Sequence, residues 1–313
     1  MFSFLHAARV DRNDDYLLQY LNIFKLYEAT NPRDKVYGLL GILHARFGLD
    51  TSTFGVDYEK SIAEVYTDAA VRVLRRGQDL ELLNHIWHDA GHGFNTEFPS
   101  WVPRWDFKVS DIIVPRDVSI IYRHNGLLGR NKRLKILNIE EKRLLVNGFK
   151  YGSVSWISDI MAVGVNEEQA TQQDGPYLRL FLRFWNEARK TRSSCLDKID
   201  NLFASTLTFT SGNFGEGENA DEPLGKQLIA DYLDYVHKIM CVVEDGTMGT
   251  APEVVEEGDQ VVGFYGASSP IALRSTEDGY IVLGPVYVRR YMDGAMFQGM
   301  QKDGMEPERF TLI

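Results

Sequence analysis

Prolines at positions 99, 103 and 115 exclude a long helix between Gly91 and Pro115, because proline lacks the amide donor and its ring clashes with the preceding turn. That stretch divides the chain into two parts with different apolar periods. Ahead of it, apolar residues recur at the spacing of a helix face; behind it they begin as short, partly alternating runs, the spacing of strands. Helices and strands do not alternate regularly. The expected class is therefore α+β: a helical layer plus antiparallel strands, with a small C-terminal β-sheet or barrel, and not a doubly wound nucleotide fold.

In the first part, residues 14–29 carry Leu17, Leu18, Leu21, Phe24 and Leu26 on one broad face. Asn31-Pro32-Arg33-Asp34 then reads as a helix start. Asn31 accepts an orphan amide, Pro32 suits the first helical position, and Asp34 complements the positive end of the helix dipole. Val36, Leu39, Leu40 and Leu43 supply the apolar face. Ser61 and Glu64 form a capping-box pattern, backed by Ile62, Val65, Tyr66, Ala69 and Val73, with Gly77 as the expected stop. Leu80 to Trp87 reads as one more short helix.

In the second part, Val118–Tyr122, Leu134–Ile139 and Arg143–Phe149 read as short strands. Residues 166–192 and Leu224–Met240 return to the helical period, with the polar stretch Ser211–Pro223 between them as an exposed loop. Gln260–Tyr265, Ile271–Arg274 and Tyr280–Val288 read as strands, and Asp278-Gly279 as a hairpin turn. The organisation is residues 1–110, helical with a Pro/Trp-rich connection, and residues 111–313, mixed and ending in antiparallel strands, packed as one compact unit.

The chain of 313 residues has the 44% apolar and 25% charged content of a soluble globular protein. Its net charge of -10 argues against a nucleic-acid partner, which needs a basic face, and against anionic membrane surfaces. No apolar run approaches a membrane span. Cys195 and Cys241 are too few for a disulfide framework or a cysteine-rich zinc site, so a reduced, cytoplasmic setting with free thiols is expected. There is no P-loop and no G-x-S-x-G elbow. Catalysis, if present, is expected to need no nucleotide or redox cofactor and no metal.

Four clusters carry polar chemistry. His85, His88 and His92 with Asp89 have a possible metal-ligand spacing, but the glycines around them read equally as a solvated connection. In Pro99-Ser100-Trp101-Val102-Pro103-Arg104-Trp105, two indoles flank an arginine suited to an anion or a ring face. The competing reading is that both rings plug the joint between helices and sheet. Arg289 and Tyr291 share one face of a strand register, opposite Arg290. Asp57-Tyr58 pairs a carboxylate with a phenol, either for acid/base work or as an Asx turn before the capped helix. On the catalytic reading, Arg104, Asp57, Tyr58 and Arg289 act on a substrate held by Trp101, Trp105, Tyr291 and His88.

Several motifs, in order, resemble the region that follows the HET domain in the fungal heterokaryon-incompatibility family. Thr30-Asn31-Pro32-Arg33-Asp34-Lys35-Val36-Tyr37-Gly38-Leu39-Leu40-Gly41 is similar to that family's "TDPRDKVYALLGL". Val56-Asp57-Tyr58 with Ser61 to Ala70 resembles "PDYSKSVEEVYTDAA", and Asp79 to Leu83 with Phe98 to Trp105 resembles "LDLLS … LPSWVPDW". Gly258-Asp259-Gln260-Val261 with Pro270 to Arg274 resembles "GDLV … PFVLR", and Tyr287-Val288 with Met292-Asp293-Gly294 resembles "YVHGIMDGEA". About thirty residues precede the first motif, too few for a domain, so the resemblance implies the follow-on region alone, as a free-standing protein or a shortened chain. Arg104 stands where the family has Asp, Arg289-Arg290-Tyr291 replace a His-Gly-Ile-like run, and Ala295 replaces Glu. No role of those residues carries over.

The resemblance leaves two functional classes open. The first is a cofactor-independent enzyme of fungal secondary metabolism, of cyclase, isomerase or dehydratase type, with a hydrophobic small-molecule substrate. The second is a non-catalytic recognition or regulatory module of the incompatibility type that binds a protein partner. Convergence of Trp101, Arg104, Trp105 and Arg289 on one enclosed pocket is the expectation that separates them.

Overall fold

The computed structural model describes residues 16–25, 27–47, 55–88, 94, 96–107, 138–140, 142–158, 238–288, 291 and 295–313. The expected strand at Val118–Tyr122, the helix at 166–192, the loop Ser211–Pro223, and Leu26, Asp89, His92, Cys195, Arg289 and Arg290 lie outside these residues.

Three helices form the first layer: α1 (Tyr16–Phe24), α2 (Asp34–Phe47) and α3 (Ile62–Gly77). Each presents the face its spacing dictates. Leu17 and Leu21, then Val36, Leu39, Leu40 and Leu43, then Val65, Tyr66, Ala69 and Val73 are all buried. The caps form as the side chains require. The Asn31 side-chain oxygen accepts the Arg33 amide at 3.0 Å. Ser61 and Glu64 exchange both bonds of a capping box. Helix α3 ends at Gly77 as expected, and Gln78 after it takes the left-handed conformation, φ 51°. Leu80–Trp87 contains a 3₁₀ turn at Glu81–His85 rather than an α-helix.

The polar residues of the Asn31–Tyr37 stretch are spent on holding this layer together. Arg33 Nε donates to the Lys60 carbonyl at 2.6 Å, and Tyr37 Oη to the Asp57 carbonyl at 2.7 Å. Lys35 is buried, and its ammonium donates to the carbonyls of Phe24, Lys25 and Tyr27. A cation on the last carbonyls of α1 satisfies acceptors that have no intrahelical partner.

The second layer comprises eight described strands: β1 (Asn138–Glu140), β2 (Arg143–Ile157), β3 (Lys238–Val243), β4 (Met248–Pro252), β5 (Gln260–Phe264), β6 (Ile271–Ser275), β7 (Tyr280–Pro285) and β8 (Glu308–Leu312), with helix α4 (Ala295–Lys302) before β8. The C-terminal sheet expected from the sequence is therefore present, and larger than expected. The end of the supposed helix Leu224–Met240 is the start of strand β3, and β4 begins within Gly246–Gly249, a stretch that reads from sequence as a glycine-bearing loop. Tyr280–Val288 is β7 followed by a bridge at Tyr287. Local pattern misleads here because Lys238–Val243 is buried almost throughout, and a buried strand lacks alternation.

Strand β2 is the spine. Along its 15 residues it pairs antiparallel with β1, β8, β5 and β3, with shifts in register near Gly152 and Ser155. The order β2-β5-β6-β7-β8 closes on itself through the β2–β8 pairing and the single parallel pair Tyr280–Leu312. A second closure runs β2-β3-β4 and on to the end of β7 through the Thr250–Tyr287 bridge. Gly249 permits it: a Cβ there would stand 2.5 Å from the Tyr287 carbonyl oxygen. Closure of this kind removes exposed strand edges.

Alternation then sorts the sheet's side chains into two cores. Val262, Ile271, Leu273 and Val282 join the helical layer in one core. Val261, Ala272 and Leu283 face the other way, into the second ring with Phe149, Tyr151, Cys241 and Tyr291. Helices α1 to α3 thus share one core with one face of the sheet, and α4 packs on the other. Where β2 passes to β3, Ser158 and Met240 exchange two bonds of 2.9 Å.

Candidate functional site

The Pro99–Trp105 segment lies across the joint between α3 and the sheet. Trp101 and Trp105 are both 0% exposed and belong to the shared core. Trp101 Nε1 donates to the Lys142 carbonyl at 2.9 Å, and Trp105 packs edge-on against Tyr66 with centroids 5.2 Å apart. Just before Trp101, Ser100 joins the two strands that diverge after Tyr280. Its hydroxyl accepts the Val282 amide at 2.9 Å and donates to the Ile313 carbonyl, which also accepts the Ser100 amide.

Outside this plug lies a groove of about 660 Å³. One wall is the segment from Phe94 to Phe107; the other is the β1–β2 turn with Lys142 and Arg143, the β6–β7 turn with Asp278, and Ile281 of β7. Trp87 and Phe107 meet edge-on at 4.7 Å, as do His88 and Phe94 at 5.1 Å. Arg104 is locked. Its Nε and Nη2 each donate at 2.9 Å to the two carboxylate oxygens of Asp106, and its guanidinium lies 4.2 Å from the Phe98 centroid. The Asp106 hydrogen bonds hold Arg104 firmly in its charged form. Arg143 and Asp278 are 4.0 Å apart, with side chains 50% and 80% exposed.

The groove contains two of the sequence-predicted site residues, Arg104 and His88. The other described ones, Trp101, Trp105, Asp57, Tyr58 and Tyr291, do not line it, and Arg289 lies outside the described residues. Neither indole is among the residues lining the groove; Trp101 and Trp105 are packed in the core between the helices and the sheet. Asp57 and Tyr58 are exposed beside α2. Asp57 closes an Asx turn onto the Glu59 amide at 2.9 Å, and Tyr58 donates to Asp34 at 2.6 Å, which raises its pKa. Tyr291 is buried in the second ring, 4.7 Å from the Tyr151 ring. The expected convergence on one enclosed pocket does not occur among the described residues. Sequence reasoning missed Trp87, Phe98, Phe107, Lys142 and Arg143. Only the polar run Glu140-Glu141-Lys142-Arg143 carried a signal, that of a turn, and nothing local sets a turn opposite a segment some forty residues earlier.

His85 and His88 are held neutral. Burial pushes His85 down to about 4, with Lys25 adding to the shift, and burial also lowers His88, whose Nε2–H donates to the Val282 carbonyl at 2.7 Å. Lys25, close to this cluster, is lowered by burial to about 8. Among the described residues no group of three potential metal ligands forms. The sign for His85 follows from its lowered folded-state value. Between about pH 6.5 and about pH 4 the unfolded chain binds the proton and the folded chain does not, so stability falls as pH falls through that window. Thermal melts across it should show the decline, and His85→Gln should flatten it; an unchanged curve in that variant would clear His85 as the cause.

Residues 230–305 match the Het-6 beta-barrel domain. The matched range holds β3 to β7 and α4, while the closing strands β2 and β8 lie outside it. The chain is also 22% identical over 370 residues to heterokaryon incompatibility protein 6, OR allele, of Neurospora crassa, an alignment covering 91% of this chain. It spans 51% of that relative, about half its length. No solved structure matches. The chain is thus similar to a fungal heterokaryon-incompatibility protein over most of its own length, and to the Het-6 barrel over its C-terminal strands.

Proposed function

We propose that this chain, a relative of the heterokaryon-incompatibility proteins, is a non-catalytic recognition module whose groove receives a protein partner. The observation that supports this most is the state of the groove's polar groups. General acid/base work needs a group with an available proton position facing the reacting atoms. Arg104 is closed off by both oxygens of Asp106 and by the Phe98 ring, and the Nε2–H of His88 is committed to a main-chain carbonyl. What remains is aromatic wall and charged rim, the composition of a binding surface. The name of the Neurospora relative speaks of incompatibility, a discrimination between partners. A small-molecule occupant is the second reading, because about 660 Å³ falls within the range of ligand pockets.

Photo-crosslinking separates the two. The groove-rim residue Glu97, replaced by p-benzoyl-phenylalanine in the producing cell, should give a protein adduct. The adduct should vanish when Thr96→Trp fills the groove, and should not form from a probe at Met305, which is exposed and outside it. A metabolite adduct, or a protein adduct indifferent to Thr96→Trp, would overturn the proposal.

A further inference from the structure

From the distribution of bound and available charge around the groove, we infer that its occupant is a short protein segment carrying an aromatic or aliphatic anchor next to carboxylates, with the acidic end at the β1–β2 turn. This rests on the recognition reading above and specifies the partner's chemistry.

Among its described lining residues the groove has three cations, Arg104, Lys142 and Arg143, and they differ in availability. A bidentate pair stacked on a ring is geometrically fixed, so Arg104 serves as wall: its face and the Phe98 ring form one rigid surface. Arg143 is the opposite case. Its contact with Asp278 is long and solvent-exposed, and exposed pairs of this kind contribute little, so an incoming carboxylate can displace it. Lys142 is exposed as well, but its backbone is not loose. It holds a left-handed φ of 68°, and Trp101 Nε1 ties down its carbonyl at 2.9 Å. The turn therefore offers two adjacent cations on a pre-organised backbone, which lowers the cost of binding.

The other wall fixes orientation. On the Phe94–Phe107 side the one cation among the described lining residues, Arg104, is already paired with Asp106, so Trp87 and Phe107 offer apolar contact there and a carboxylate is better met at the β1–β2 turn. The chain's net charge of -10 favours basic partners at long range. Within the groove, separations are shorter than the Debye length of about 8 Å, and the nearest charges decide.

Selection of short random peptides displayed on phage against the full chain tests this. Selected peptides should combine an aromatic or aliphatic residue with neighbouring Asp or Glu. Binding of the synthetic peptide should weaken by roughly tenfold or more in Lys142→Glu/Arg143→Glu, and fall with added salt. The reversal at Arg75→Glu/Arg76→Glu on α3, away from the groove, should leave it unchanged; circular dichroism and the melting curve confirm that each variant is folded. Basic or uncharged peptides that compete for the groove but ignore the Lys142/Arg143 reversal overturn this inference and leave the recognition reading standing. Failure to select any peptide sensitive to Thr96→Trp overturns both.

Discussion

Replacing Trp105 with alanine costs about 3–5 kcal/mol of unfolding free energy, seen as a lower urea midpoint at constant slope. The ring is fully buried, it packs on Tyr66, and it belongs to the core that joins helices to sheet. Its removal leaves a cavity that the surrounding strands cannot close, because they are fixed in a closed ladder. Phenylalanine substitutions discriminate further. Trp101 Nε1 donates to the Lys142 carbonyl, whereas Trp105 Nε1 makes no hydrogen bond. Trp101→Phe therefore loses about 1 kcal/mol more than Trp105→Phe, the cost of orphaning a carbonyl on top of a similar loss of volume. A Trp105→Ala variant within 1 kcal/mol of the parent would refute the plug.

The second large effect is expected at Asp259. Its carboxylate receives Arg274 Nε at 3.0 Å and Nη2 at 2.8 Å, and Oδ2 also accepts the Glu256 amide at 2.7 Å. Asp259 is buried, and the Arg274 side chain is 23% exposed. Asp259→Ala leaves that guanidinium without its main counter-charge and should destabilise by about 2–4 kcal/mol. Arg274 also donates to the Val254 carbonyl and contacts Glu256, so part of its pairing survives, which sets the lower end. Arg274→Met in the Asp259→Ala background should recover a portion of the loss. Strictly additive effects in that double-mutant cycle would mean the pair is not coupled.

These two sites show how the fold and the groove differ in legibility. Gln260–Tyr265 and Ile271–Arg274 read as strands, each beginning within a stretch that resembles a family motif, and the Asp259–Arg274 pair links a polar member of each motif. The faces of α2 and α3 were equally plain, since spacing and caps are local properties. Strand β4 was hidden because glycine and burial erase the alternating pattern. The groove was hidden for a different reason. Its walls come from positions far apart in the chain, brought together by β2 pairing with four strands, and no local rule predicts which turn faces which loop. The arginine that seemed most available for chemistry, Arg104, is neutralised by a neighbour two residues away, a choice of rotamer that sequence does not announce.

The paired bonds between Ser158 and Met240 carry one more implication. They lie at the end of the antiparallel β2–β3 pair and join positions 82 apart in the sequence. The entropy of closing a loop rises only with the logarithm of its length. Because that cost grows so slowly, two bonds are enough to help hold positions this distant in the sequence in one register.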